Sequence, residues 1–257
     1  MIVRLLLAAL AAGLIAGMAM TPAQYVKVVP LILQAEAYEG GGHEHAAAEA
    51  TPSPADAGPE IAQDAAPAAH DHGAHDHAQE DGDESMLGLG RLGDTVLANL
   101  VAGAGFALML AAVALIAGIG FPAGREGLMR GLLLGAGAWF CVQLAPSFGL
   151  PPAVPGFPHA DLADRQGWWM VTVGASALGL WLVALRPEWI ARALGLALIA
   201  APHVWGAPVP EDLSSDVPAY LASAYAAASL ATTLFFWLLL GGLLGHFLSR
   251  VPEERAA

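Results

Sequence analysis

Cysteine is almost missing: Cys141 stands alone in 257 residues, so no intrachain disulfide can form and no thiolate cage can hold a metal. Charge is equally scarce. Only 13% of the residues are Asp, Glu, Lys or Arg, against 56% hydrophobic ones and a mean hydropathy of +0.57, which excludes an ordinary soluble domain and places the chain in a membrane. Cations are the rarer sign, ten Lys and Arg to 23 Asp and Glu, for a net charge of −13 at pH 7. The basic footprint of a nucleic-acid binder is therefore absent, and cations are the natural guests. Nor does the chain contain GxxxxGK[ST], HExxH or GxSxG, which argues against an ATPase, a protease or an esterase, and it is read as a non-enzyme.

Long apolar runs, by contrast, are abundant. A hydrocarbon core about 30 Å thick needs about 20 apolar residues at about 1.5 Å each. Six stretches approach this: Leu5 to Thr21, Thr95 to Ile119, Leu128 to Ala145, Trp168 to Leu185, Trp189 to Val204 and Tyr225 to Leu248. The fifth is the shortest. Pro187 lies in the tight link between the fourth and fifth, where it can stop one helix and start the next, so the two read as a helical hairpin, with a re-entrant pair as the competing arrangement. The first stretch also resembles a signal peptide, with Arg4, an apolar run and the small residues Gly17 and Ala19. The expected fold is an all-α integral membrane protein, a bundle of about six transmembrane helices, with five as the alternative, and a disordered His- and acid-rich external loop. Its parts are residues 1–39 (first helix and acidic juxtamembrane segment), 40–92 (loop), 93–250 (helical bundle) and 251–257 (cytoplasmic tail).

Orientation follows from the cations, which are retained on the cytoplasmic side of short loops. With six spans and the N-terminus inside, Arg4, Arg125, Arg130, Arg186, Arg192, Arg250 and Arg255 face inward, and Lys27, Arg91 and Arg165 outward. The acids run the other way: Glu126, Glu188, Glu253 and Glu254 are inside and the other 19 outside. Between Lys27 and Arg91 there is no cation at all, and from Gly40 to Ser85 the chain is mostly Ala, Pro, Gly, acid and His with almost no large apolar residue. Such a segment buries too little apolar surface to offset an ordering entropy of about 1–2 kcal/mol per residue.

Six of the nine histidines lie in that loop, His43 and His45, then His70-Asp71-His72-Gly73-Ala74-His75-Asp76-His77. Imidazole with a pKa near 6.5 is mostly neutral at pH 7, so its lone pair is available to a divalent metal, while Asp71 and Asp76 add attraction and oxygen ligands. His70 and His72 point the same way in an extended chain, as do His75 and His77, and Gly73-Ala74 lets the pairs fold together. The bland alternative is a solvated spacer that binds metal only as a histidine tag does. Copper, nickel and zinc compete well with cobalt for such ligands, so this set does not name its ion.

Other polar groups cluster near span ends. Glu36 and Glu39 are three apart, which puts both carboxylates on one helix face, there to receive a cation from the loop or simply to stand in water. His159, Asp161 and Gln166 precede Trp168-Trp169, an aromatic belt at headgroup level, with Arg165 placed to pair with Asp161 or Asp164. His203 lies between Pro202 and Trp205 at the outer end of the fifth stretch. Asn99, Gln143 and His203 are candidate pathway residues because polar groups within spans are costly, although interhelical hydrogen bonding accounts for Asn99 and Gln143 equally well.

Several blocks taken together resemble one family: Arg4 to Gly17, Pro30 to Glu39, Leu144-Ala145-Pro146-Ser147-Phe148-Gly149-Leu150-Pro151-Pro152, Asp164-Arg165-Gln166-Gly167-Trp168-Trp169, and Ala201-Pro202-His203-Val204-Trp205-Gly206-Ala207-Pro208. In combination they are similar to the CbtA family of probable cobalt transporter subunits, over nearly all of the membrane part. The resemblance implies a bacterial inner-membrane protein with five spans that takes up cobalt for cobalamin synthesis. It also implies a partner, a second, small single-span subunit with a histidine-containing terminus. The ion, Co²⁺ before Ni²⁺ or Zn²⁺, is then substrate and not a resident cofactor. A non-transporting metal sensor or scaffold is the rival reading, and a metal- or haem-dependent membrane enzyme using His159 and His203 a further one.

Overall fold

A backbone inside a bilayer must satisfy its own hydrogen bonds, so each apolar run is expected to become a helix. The computed structural model describes residues 2–45 and 89–251, and among them it shows helices and no strand. They are α1 (Ile2–Lys27), α2 (Val29–His45), α3 (Gly90–Ile116), α4 (Arg125–Ser147), α5 (Leu162–Leu185), α6 (Trp189–Trp205) and α7 (Ala219–Leu248). The loop boundaries expected at 40 and 92 fall inside helices, since helical backbone runs to His45 and resumes at Gly90.

Five of these helices, α1, α3, α4, α5 and α7, are long and apolar enough to cross a membrane. At 17 residues α6 is about 25 Å long, short of a full hydrocarbon core. It nevertheless folds back along α5 as the expected hairpin around Pro187. Gly179 and Gly195 meet so closely that a Cβ on either would stand 2.5–2.6 Å from the other's carbonyl oxygen. At the far end the Trp168 indole N–H donates to the Pro202 carbonyl at 3.2 Å.

Lipid tails are as apolar as Leu, so helices in a bilayer associate by close packing, and small residues allow it. The remaining seams follow this rule. Gly13 and Gly17 of α1 lie against Gly103 and Asn99 of α3, and Gly127, Gly131 and Gly135 of α4 interlock with Gly245, Gly241 and Trp237 of α7. Helix α7 is the hub, packed on both α1 and α4. Around it Ala9, Ala12, Ala16, Ala107, Leu110, Trp237, Leu240 and Leu244 are buried, with Phe106 tilted against Trp237 at 5.0 Å between ring centroids.

Helix α4 contains one π turn, Phe140–Leu144, in which the Ala145 N–H reaches back to the Phe140 carbonyl. Pro146 follows at once and has no N–H to contribute, so the ladder is already broken where the turn widens. Asn99 ties α3 to α1: its amide nitrogen donates to Gln24 Oε1 at 2.7 Å and to Thr21 Oγ1 at 3.1 Å.

The six legs α1, α3, α4, α5, α6 and α7 run alternately between two ends of the bundle. One end carries Arg4, Arg125, Arg130, Arg186, Arg192 and Arg250 with Glu126 and Glu188. The other carries Lys27, Arg91 and Arg165 with Glu36, Asp94, Asp161, Asp164, Glu211, Asp212 and Asp216. Helix α2 lies across this acidic end, where Ala35 packs with Val154, Val217 and Leu221.

Candidate functional site

The acidic end is assembled from helices that continue past their apolar runs. Helix α3 begins at Gly90, five residues before Thr95, and α5 and α7 each begin six residues before the runs that start at Trp168 and Tyr225. The overhang is about 8–9 Å at 1.5 Å per residue. It turns the polar first turns of α3 and α5, with the Tyr220-bearing first turn of α7, into a platform. Within it, Arg91 Nη2 donates to Glu36 Oε1 at 3.3 Å, joining α2 to the start of α3. The residues between these two helices are the His-rich segment, so both its roots stand at the acidic end. The Tyr38 hydroxyl is hydrogen-bonded with that of Tyr220 on α7, which raises the Tyr38 pKa above its ordinary 10.0.

His203 is held in an aromatic frame. Its ring meets Trp168 edge-on at 5.8 Å and Phe148 at 6.1 Å, uniting the ends of α4, α5 and α6. Gly149 is required beside them, because a Cβ there would stand 2.6 Å from the Trp168 ring and 2.6 Å from Ala207 Cβ. Gly206, at φ +93°, ends α6 in the left-handed region that glycine tolerates and turns the chain toward α7.

His159 lies on the connection before α5, exposed, and its pKa is lowered from 6.5 by partial burial and by the neighbouring Arg165 guanidinium. A lowered pKa keeps the imidazole neutral, the form that binds metal. Asp161 is the N-cap of α5, its Oδ1 accepting from the Ala163 N–H at 2.8 Å and the Asp164 N–H at 3.4 Å. The expected ion pair of Arg165 with Asp161 or Asp164 is not formed: capping satisfies Asp161, and Arg165 Nε is buried without a hydrogen-bond partner. Gln166 is exposed one residue further on, and Gln143 is half-buried in the π turn of α4.

Asn99 spends both hydrogens of its amide on α1, and Glu36 engages Arg91. The backbone of α2 extends through Glu39, His43 and His45. His70, Asp71, His72, His75, Asp76 and His77 lie outside the described residues. Among the described residues no three His, Cys, Asp or Glu side chains converge closely enough to hold a metal ion. His159, His203 and Glu36 thus share an end of the bundle without forming one ligand sphere.

Two polar groups carry no signal in the sequence. Asp94, in the first turns of α3, has a buried Oδ1 with no hydrogen-bond partner, and Ser176 on α5 is fully buried with its Oγ unpartnered. The N-terminal overhang of α3 carries Asp94 inward, and no apolar pattern marks that; Ser176 sits four residues after Thr172, whose hydroxyl bonds back to the Trp168 carbonyl at 2.8 Å.

No protein of curated function and no solved structure matches the chain. The family model described as probable cobalt transporter subunit (CbtA) matches residues 2–249, nearly end to end, and with a helical bundle long and apolar enough to cross a membrane five times, the chain belongs to that family.

Proposed function

We propose that this protein takes up a divalent cation, Co²⁺ before Ni²⁺ or Zn²⁺, from the side on which the acidic end lies. The ion is concentrated on His43, His45, His70, His72, His75 and His77, with Asp71 and Asp76, and passes toward Glu36, Glu39, Asp94, His159 and His203. Asp161, Gln166, Asn99 and Gln143 line or brace the route. The observation that carries this reading is the segregation of charge: the roots of the His-rich segment, the framed imidazole and seven described acids gather at one end, and six arginines at the other. By the retention of cations in the cytoplasm, the arginine end faces inward in a bacterial inner membrane and the acidic end outward. Several weak, exchanging sites raise the local ion concentration without trapping it. A membrane potential worth about 2.3 kcal/mol per charge per 100 mV, or a partner, supplies the uphill work. That partner is a small single-span protein with a histidine-containing terminus.

The test is uptake of labelled Co²⁺, Ni²⁺ and Zn²⁺ by cells expressing the chain with and without the small partner, and with residues 43–77 deleted. Deletion is expected to raise the external metal concentration needed for uptake; unchanged uptake at limiting metal removes the capture role. Saturable binding without flux in proteoliposomes containing both proteins would convert the reading to a membrane metal sensor.

A further inference from the structure

At the arginine end, opposite the candidate route, the described residues leave the seam of α1, α3 and α7 open. A cavity of about 600 Å³ opens there, bounded by Leu5, Ala111, Phe121, Leu248 and Val251. A second cleft, of about 230 Å³, lies between Ile2, Leu6 and Leu108. The two share Leu5, Ala111 and Leu115 as a common wall. The smaller is almost wholly apolar, whereas the larger mixes apolar walls with polar groups from the turn at Gly120 and from Ser249; both begin at the helix ends. Along α3 the larger spans Ala111 to Leu115, about 6 Å at 1.5 Å per residue, and the smaller reaches from Leu115 back to Leu108, about 10 Å. That depth lies within one leaflet and is too short for a partner helix, which needs about 30 Å of groove.

Arginines flank the lining residues along the chain. Arg4 precedes Leu5 in sequence, Arg125 follows the wall segment Ile119 to Ala123, and Arg250 stands between Ser249 and Val251, which both line the larger cavity. Arg4 and Arg125 are exposed, with no hydrogen bond or ion pair among the described residues. Arg130 is engaged instead, on Glu126 at 2.5 Å and on the Gly120 carbonyl at 3.0 Å, which pins the wall. Arg250 is held toward α7 by His246.

We propose that these paired clefts bind one anionic diacyl phospholipid, an acyl chain in each slot and the phosphate on Arg4 and Arg250. Two adjoining slots with a polar mouth match two chains below one headgroup, and arginines flanking that mouth select a headgroup of net negative charge over a zwitterionic one. The site depends on neither the transported ion nor the route.

The full chain, purified and washed in detergent, is titrated with mixed micelles of phosphatidylglycerol or phosphatidylcholine, and the lipid retained per chain is counted by native mass spectrometry alongside the thermal unfolding midpoint. Phosphatidylglycerol is expected to be retained about tenfold better or more, the scale of two arginines beside an anionic headgroup. It should also raise the midpoint further. The doubly substituted Arg4→Gln, Arg250→Gln chain should lose the preference, and the Arg4→Lys, Arg250→Lys chain should keep it. Equal retention of the two lipids overturns the proposal, as does a preference that survives the Gln substitutions or a co-purifying protein seated there with no lipid retained.

Discussion

Arg91 and Glu36, 55 residues apart in sequence, meet at 3.3 Å and clasp the two helices from which the His-rich segment springs. Both side chains are substantially exposed, so the clasp contributes little to stability, about 0–1 kcal/mol. Its charge is another matter. Glu36→Gln is expected to leave the unfolding midpoint nearly unchanged while raising the cobalt concentration required for half-maximal uptake. Uptake curves that superimpose on those of the unsubstituted chain would remove Glu36 from the route.

The α4–α7 seam is intolerant of any side chain at its closest points. A Cβ at Gly131 would stand 2.2 Å from the Gly241 carbonyl oxygen, so Gly131→Ala should separate the helices and cost about 1–3 kcal/mol, the usual range for overpacking. Gly174 meets nothing within 4 Å, and Gly174→Ala should be neutral or slightly stabilising. Thermal unfolding in detergent compares the two directly.

Asn99 serves α1 with both amide hydrogens, at 2.7 and 3.1 Å. Asn99→Ala should therefore destabilise the bundle by about 0.6 kcal/mol, a typical interhelical hydrogen bond in a membrane protein. A brace alone predicts unchanged cobalt affinity in the folded fraction; a weaker affinity in binding titrations would make Asn99 a ligand as well.

His159 titrates below the usual 6.5, first because it is partly buried and second because Arg165 is close. Arg165→Gln should raise the pKa only part of the way back, since burial remains. Its folded pKa lies below its unfolded one, so protonation favours the unfolded chain, and the loss of stability sets in as pH falls below about 6.5. Above that window the group has no effect. Imidazole resonances followed by NMR across pH 5–8 would show the order of the two chains; a pKa in Arg165→Gln equal to that of the parent would exclude the charge contribution.

The membrane-embedded portion was legible because apolar runs and Pro187 carry direct physical signals: length for a span, and a missing N–H for a break. What lay beyond those runs was less so. The overhangs of α3 and α5 consist of polar first turns that hydropathy does not distinguish from loop, and they carry Asp94 and the Asp161 cap. The spacing of four between Gly127, Gly131 and Gly135, and between Gly241 and Gly245, was visible and would have named the close α4–α7 seam from the residues alone. Arg165 shows the opposite failure: nearby carboxylates suggested an ion pair, but Asp161 caps the backbone of α5 and Arg165 Nε is buried without a partner. Asn99 was legible in type and ambiguous in role, because a lone polar group in a span serves a neighbour or a passenger with the same atoms.

The widened turn at Phe140–Leu144 inserts one residue into what would otherwise be continuous α-helix, and one residue is worth about 100° of azimuth. Everything from Pro146 to Gly149 is aimed by that offset, including the Phe148 ring beside His203 and the Gly149 notch that receives Trp168. A single-residue deletion here would leave hydropathy and helix content intact while swinging the C-terminal end of α4 away from the hairpin it now buttresses.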